Sequence, residues 1–134
     1  MMVNNGYNQY KENSVYTATP EELTLMLYNG LVKFIMLAQS AIDEKNIERA
    51  NNSIIRAQDI VREFQVTLDM KYEVSKHLDS IYDYMYRRLI QANIKKDKEI
   101  LEEMLEMAKD LRDTWTQAMK LAKRQVASKD QIAR

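Results

Sequence analysis

The chain has 134 residues with no cysteine, one histidine, two glycines and one proline, and its 20 basic and 20 acidic residues balance to a net charge of zero. This length fits one domain. The missing cysteines exclude disulfides, iron–sulfur clusters, thiolate zinc sites and thiol nucleophiles, and a single histidine cannot supply the imidazoles of a catalytic zinc site. Two glycines leave no glycine-rich phosphate-binding loop. We expect a helical, cytoplasmic protein without catalytic residues, cofactor or metal, and without a signal peptide or membrane span.

The first 19 residues are rich in asparagine and tyrosine and have no helical period, which predicts an N-terminal arm outside the folded core. Tyr7, Tyr10 and Tyr16 stand out on this polar segment. Because disordered tails are poor in aromatic residues, we expect the arm to dock on a protein surface.

Four helices are predicted in chain order. The first begins at Pro20, because Thr19 can cap its free amides and Glu22 stands where a capping box needs an acid. Asn46 and Asp97 are predicted to cap the second and fourth helices. The predicted helices span residues 20–44, 47–68, 72–92 and 98 into the basic C-terminal end.

Each predicted helix carries a stripe of apolar residues at helical spacing. Four such segments with short connections predict an all-α, antiparallel up-down four-helix bundle over residues 20–124, after an arm at 1–19 and before a basic, frayed end at 125–134. The residues predicted to face inward are Leu23, Leu27, Leu31, Phe34, Ala38 and Ile42; Ile47, Ala50, Ile54, Ala57, Val61, Phe64 and Leu68; Val74, Leu78, Ile81, Met85, Leu89 and Ala92; and Ile100, Met104, Leu111, Trp115, Ala118 and Ala122.

The first helix carries a second apolar stripe, well away from its core stripe. Three interpretations stay open: the helix is central in the bundle, the stripe packs against the arm, or the stripe is a groove for a partner helix or strand. If it is a groove, Val32→Asp is predicted to weaken partner binding and to leave helicity intact. The candidate groove residues are Leu25, Tyr28, Val32 and Met36 on the first helix and Tyr82, Tyr86 and Ile90 on the third.

Two single residues test other interpretations. Gly30 lies inside the first helix, where it costs about 1 kcal/mol relative to alanine, and this predicts close packing against a neighbouring helix. A di-iron site in a bundle needs Glu-x-x-His twice, but the single histidine, His77, has Val74 at that spacing. We therefore predict no di-iron site, and we predict that His77 is a half-exposed helix residue and not a catalytic base.

The C-terminal end is basic. Residues 120–134 contain five basic residues and one acidic residue, so they carry a net charge of +4, while residues 20–119 carry −4. No aromatic residue lies among these charges. We therefore favour a solvated helix end over a nucleic-acid site.

Residues 17–30, TATPEELTLMLYNG, closely resemble the opening signature of the flagellin export chaperones, the FliS family. Tyr7 and Tyr10 match the family's N-terminal pattern, and the resemblance covers about residues 7–120. The chain departs from the family at residues 70–73, where many members carry glycines, and at Ile81, where leucine is usual. Further matches lie at residues 56–58, 68–69, 82–85, 88–89, 92–93, 111–112 and 115.

The resemblance implies a cytoplasmic chaperone that binds the C-terminal region of flagellin, prevents its premature polymerisation and delivers it to the flagellar type III export gate. It also implies that the arm covers part of the flagellin groove, and that Tyr7 and Tyr10 dock the loaded chaperone on the cytoplasmic domain of the export-gate protein FlhA. The alternative is a structural helical module that self-associates through its second stripe. Neither nucleic acid nor stable membrane insertion is expected.

Overall fold

Four α-helices form a bundle in the computed structural model, which describes the backbone of residues 16–132 and the side chains of residues 16–129. Helix α1 packs between α2 and α4, and α3 closes the ring by contacting the same two helices. Consecutive helices run antiparallel, and the described residues contain no strand. The predicted all-α four-helix bundle is confirmed. The helices are α1 (Pro20–Asp43), α2 (Ile47–Thr67), α3 (Glu73–Lys95) and α4 (Lys98–Ile132).

The predicted helix caps are present. Thr19 Oγ1 accepts a hydrogen bond from the Glu22 amide at 3.2 Å, and Asn46 Oδ1 accepts one from the Arg49 amide at 3.1 Å. Asp97 Oδ1 accepts from the amides two and three residues further on, at 2.9 and 3.3 Å. Three of the four helix starts therefore follow from the preference of short polar side chains for free helix amides.

Two helices end without glycine. Lys45, just after α1, and Lys96, just after α3, adopt left-handed backbone conformations with φ of 58° and 51°. This conformation usually belongs to glycine at a helix C-terminus, because side chains are crowded there. The left-handed residue lets the chain turn within a short α1–α2 connection and a short α3–α4 connection. Neither connection contains a glycine or proline that would mark it in the sequence.

The core lies along the common axis of the helices, and the fully buried large side chains include Leu31, Ile35, Ile54, Val61, Met85, Leu89, Leu101 and Met104. Most predicted inward positions are confirmed. Five are wrong and are exposed: Leu23, Ile47, Val74, Ala118 and Ala122. The first three lie in the opening turns of their helices and the last two lie near the far end of α4, where the neighbouring helices provide little cover.

Gly30 lies where α1 packs against α2. A Cβ atom added at this position would lie 3.2 Å from Cδ1 of Ile60. This distance is shorter than ordinary van der Waals contact, so the end of the Ile60 side chain would have to shift by a few tenths of an ångström to admit a Cβ atom. The predicted close packing at Gly30 is confirmed.

Helix α1 is long and apolar enough to cross a membrane by length and composition, which the sequence analysis did not predict. In the bundle, its Leu31, Ile35 and Ala38 side chains are fully buried against neighbouring helices. The central helix of a soluble protein meets the same criteria, because it buries apolar residues on more than one side.

Candidate partner-binding surface

Three of the seven predicted groove residues lie in the core. Tyr28, Val32 and Tyr82 are buried, with Val32 only 6% exposed. The reason is that α1 packs against both α2 and α4 and must be apolar over a wider arc than one stripe. For Tyr28 and Val32, the interpretation that α1 is central is therefore correct. An aspartate at Val32 would bury a carboxylate, so we now expect Val32→Asp to destabilise the bundle instead of leaving helicity intact.

The buried tyrosines form an aromatic stack across three helices. Phe64 of α2 lies between Tyr28 and Tyr82, with ring centroids 4.4 and 5.3 Å away. The two tyrosine hydroxyls share a hydrogen bond of 2.7 Å, which joins α1 to α3 diagonally through the core. Burial raises the pKa of both hydroxyls above the ordinary value of 10.0.

This stack predicts a loss of stability in alkaline solution. The pKa values of these two hydroxyls are higher in the folded state than in the unfolded chain. The stabilisation that the buried neutral tyrosines provide is therefore complete below pH 10.0 and is lost as the pH rises above it. The expected slope is about 1.4 kcal/mol per pH unit for each tyrosine that must ionise. Urea unfolding of the wild type and of Tyr28→Phe/Tyr82→Phe between neutral and alkaline pH measures the effect. Equal slopes for the two proteins would contradict it.

The other four predicted groove residues are accessible, but the structure does not bring them onto one surface. Met36 is 51% exposed, and Leu25, Tyr86 and Ile90 are half-buried. Met36 borders a polar cleft between α1 and α4. The guanidinium of Arg62 on α2 covers the ring of Tyr86 on α3, and the guanidinium carbon lies 3.8 Å from the centroid of that ring. Met36 and Tyr86 therefore border different interhelical seams.

Exposed apolar side chains are concentrated at one end of the bundle, which we call the α2–α3 end. It comprises the α2–α3 connection, the start of α1 and the C-terminal part of α4. Nine of the thirteen exposed large apolar side chains within residues 16–129 lie there, and such a concentration is typical of a binding surface. They are Tyr16, Leu23, Met26, Val66, Met70, Tyr72, Val74, Leu121 and Val126.

A groove opens at this end because α4 continues past the first turn of α1. The groove, called the terminal groove, has a volume of about 460 Å³. The indole N–H of Trp115 donates to the Glu21 carbonyl at 3.0 Å and holds α4 against the start of α1. The groove has an apolar floor with acidic side chains on α1 and a lysine on α4. Its lining residues are Thr19, Glu21, Glu22, Met119, Ala122, Lys123, Val126 and Ala127.

The terminal groove was not predicted from sequence, because the charges of residues 120–134 indicate a solvated basic end. The available signal was the spacing of Trp115, Met119, Ala122 and Val126, which follows alternating steps of four, three and four residues. This spacing continues the core stripe of α4 beyond the point where other helices cover it. Helix α4 extends to Ile132, past the predicted bundle limit at 124. Fraying of residues 125–134 stays a prediction.

A polar cluster fastens α3 to α4 away from the terminal groove. The Tyr84 hydroxyl donates to Glu103 at 2.6 Å, and the Arg88 guanidinium donates twice to the same carboxylate at 3.1 and 3.2 Å. The hydrogen bond from Tyr84 and the charge of Arg88 lower the pKa of Glu103. Tyr84 and Arg88 of α3 thus supply hydrogen bonds to the Glu103 carboxylate of α4, and the cluster holds the two helices together.

The sequence also singled out a histidine on α3 and two tyrosines of the N-terminal arm. His77 is exposed, and residues 16–129 contain no group of three or more His, Cys, Asp or Glu side chains placed to hold a metal ion. Tyr7 and Tyr10 lie outside the described residues, so their role stays a prediction.

Comparison with known proteins identifies the family. The model for the flagellar protein FliS matches residues 3–122. The chain belongs to the FliS family. The flagellar secretion chaperone FliS of Bacillus subtilis (strain 168) is 51% identical over 119 residues, covering 89% of this chain and 90% of that protein. The FliS chaperones of Campylobacter jejuni and Escherichia coli K12 are 30% and 29% identical, over 86% and 81% of this chain and 91% and 82% of those proteins.

Membership defines the general function. The curated relatives are named flagellar secretion chaperones, so this chain is a flagellar export chaperone of the same family. The match covers α1, α2, α3 and the first part of α4, including part of the terminal groove.

Proposed function

We propose that this chaperone acts in the cytoplasm, binds the C-terminal region of flagellin, prevents its premature polymerisation and delivers it to the flagellar type III export gate. The names of its relatives support the role in flagellar secretion. The observation that carries the proposal is the apolar α2–α3 end, which holds most of the exposed large apolar side chains in the part of the chain that the structure describes.

Physical considerations favour a long contact with such a client. A subunit that polymerises through amphipathic segments must keep them covered until export. Ordering an unfolded segment costs several kcal/mol, about 2–5, so binding must bury a large apolar area. Burial of apolar surface contributes about 25 cal/mol per Å². An extended groove can therefore supply the binding free energy that offsets the ordering cost, without catalysis or ATP.

The proposed contact surface differs from the set predicted from sequence. We retain Met36, which is exposed, and the half-buried Leu25, Tyr86 and Ile90, and we add the terminal groove. We omit Tyr28, Val32 and Tyr82 from direct contact, because a client can reach them only if the bundle opens. A client that touches both seams must wrap around the bundle.

The arm is proposed to cover part of the client surface and to carry the export-gate contact through Tyr7 and Tyr10. The position of Thr19 at the terminal groove supports this, because the arm enters the bundle there. Deleting residues 1–17 keeps the Thr19 cap and is expected to raise flagellin affinity, since the groove no longer has a competitor. The same deletion is expected to abolish binding of the loaded chaperone to the cytoplasmic domain of FlhA.

Calorimetry with a flagellin C-terminal segment and pull-down with the FlhA domain measure the two effects. A lower flagellin affinity would contradict the covering role, and undiminished FlhA binding would contradict the docking role. The second candidate function is self-association of the bundle, which the exposed α2–α3 end also permits. A stable homodimer in sedimentation that ignores the flagellin segment would favour it.

A further inference from the structure

A polar pocket lies between α1 and the first half of α2, towards the opposite end of the bundle from the terminal groove. Its volume is about 250 Å³. Four of its residues on α2 are spaced at i, i+3, i+4 and i+7, so they share one helix face. The lining residues are Phe34, Asn46, Glu48, Arg49, Asn52, Ser53 and Arg56.

Ser53 has an unused hydroxyl at the base of this pocket. Its side chain is only 7% exposed, yet it forms no hydrogen bond with any residue between 16 and 129. The hydroxyl is not sealed inside the protein, since the described residues contain no fully buried side-chain polar atom without a partner. Water can therefore reach the hydroxyl, and an entering acceptor would replace that water. The hydroxyl is therefore available to a group that enters the pocket.

Arg56 presents its hydrogen-bond donors at the same place. Its guanidinium carbon lies 5.5 Å from the centroid of the Phe34 ring, and the Lys33 ammonium lies 5.6 Å from the same ring. Contact with an aromatic face orients a guanidinium and leaves its edge open. Within residues 16–129, Arg56 forms no ion pair or hydrogen bond.

The neighbouring charges limit what can bind. Arg49 forms an ion pair with Glu44 at 3.2 Å, and Glu48 also lines the pocket. The local excess of positive charge is therefore small, which disfavours a polyanion such as nucleic acid. One carboxylate suits the site, because Arg56 and Ser53 can donate to its two oxygens.

We propose that this pocket binds a carboxylate side chain on an acidic segment of a partner protein. The site lies outside the flagellin surface proposed above and does not depend on it. Arg56 would provide the charge-assisted hydrogen bond, and Ser53 would provide a buried neutral donor that fixes the carboxylate in the pocket.

The test is an NMR titration of the full-length, ¹⁵N-labelled protein with a short helical peptide of glutamate and alanine. A peptide in which glutamine replaces each glutamate is the matched control. Saturable chemical-shift changes at residues lining the pocket are expected with the glutamate peptide alone. Arg56→Glu should weaken binding by about tenfold or more, and Ser53→Ala should weaken it measurably. Lys109→Glu on α4 makes the same change in net charge away from the pocket and should have little effect.

Four outcomes would overturn the proposal. Three of them are equal binding of the two peptides, equal losses from Arg56→Glu and Lys109→Glu, and shift changes spread over the whole bundle. If inorganic phosphate alone saturates the pocket more tightly than the peptide, the site takes a free anion and the peptide assignment is wrong. Circular dichroism and thermal unfolding of each variant establish that it is folded before titration.

Discussion

Replacing Phe64 with alanine is expected to destabilise the bundle by about 3–5 kcal/mol, which is the usual cost of removing a buried aromatic side chain. Phe64 is buried and lies between the rings of Tyr28 and Tyr82, so its removal leaves a cavity where α1, α2 and α3 meet. The hydrogen bond between the tyrosine hydroxyls spans the same region and loses its packing support.

Urea unfolding followed by circular dichroism measures this change. Tyr72→Ala is a suitable control, because Tyr72 is 62% exposed and its removal should alter stability by no more than about 0.5 kcal/mol. A Phe64→Ala loss as small as the control's would show that the aromatic stack does not support the core.

A charge in the terminal groove is expected to weaken flagellin binding without unfolding the bundle. Val126 is 60% exposed and lines the groove, so Val126→Asp removes apolar area and adds a carboxylate that binding must desolvate. Burying a valine contributes about 1.5–3 kcal/mol, so an affinity loss of about tenfold or more is expected.

Calorimetry at equal protein concentrations tests this prediction against Ile47→Asp. Ile47 lies at the start of α2, at the opposite end of the bundle, and is 56% exposed, which makes it a matched apolar-to-acidic change outside the proposed surface. Both variants should unfold close to the wild-type temperature. Equal affinities for the two variants would remove the terminal groove from the client surface.

The fold followed from sequence because local signals and the hydrophobic pattern agree. Thr19 with Pro20, Asn46 and Asp97 all stand at helix starts, and apolar residues recur at helical spacing between them. The connections were harder to define. Lys45 and Lys96 adopt left-handed conformations that their residue type does not favour, so nothing in the sequence marked these helix ends.

The candidate site was only partly predictable, because periodicity shows that a face is apolar but not which element covers it. The stripe containing Tyr28 and Val32 was open to both a core and a surface interpretation, and the choice depends on α1 contacting two helices. Val126, in contrast, continues the spacing of the α4 core stripe but is exposed. Its exposure results from α4 being longer than its neighbours, which only the assembled bundle reveals.

The most direct test of the central claim is calorimetric titration of the full-length protein with the C-terminal segment of flagellin from the same organism. We predict saturable one-to-one binding with a negative heat-capacity change, because apolar surface is buried, and no comparable binding of the flagellin N-terminal segment. The absence of binding by the C-terminal segment to the folded protein, or equal binding of the two segments, would contradict the account.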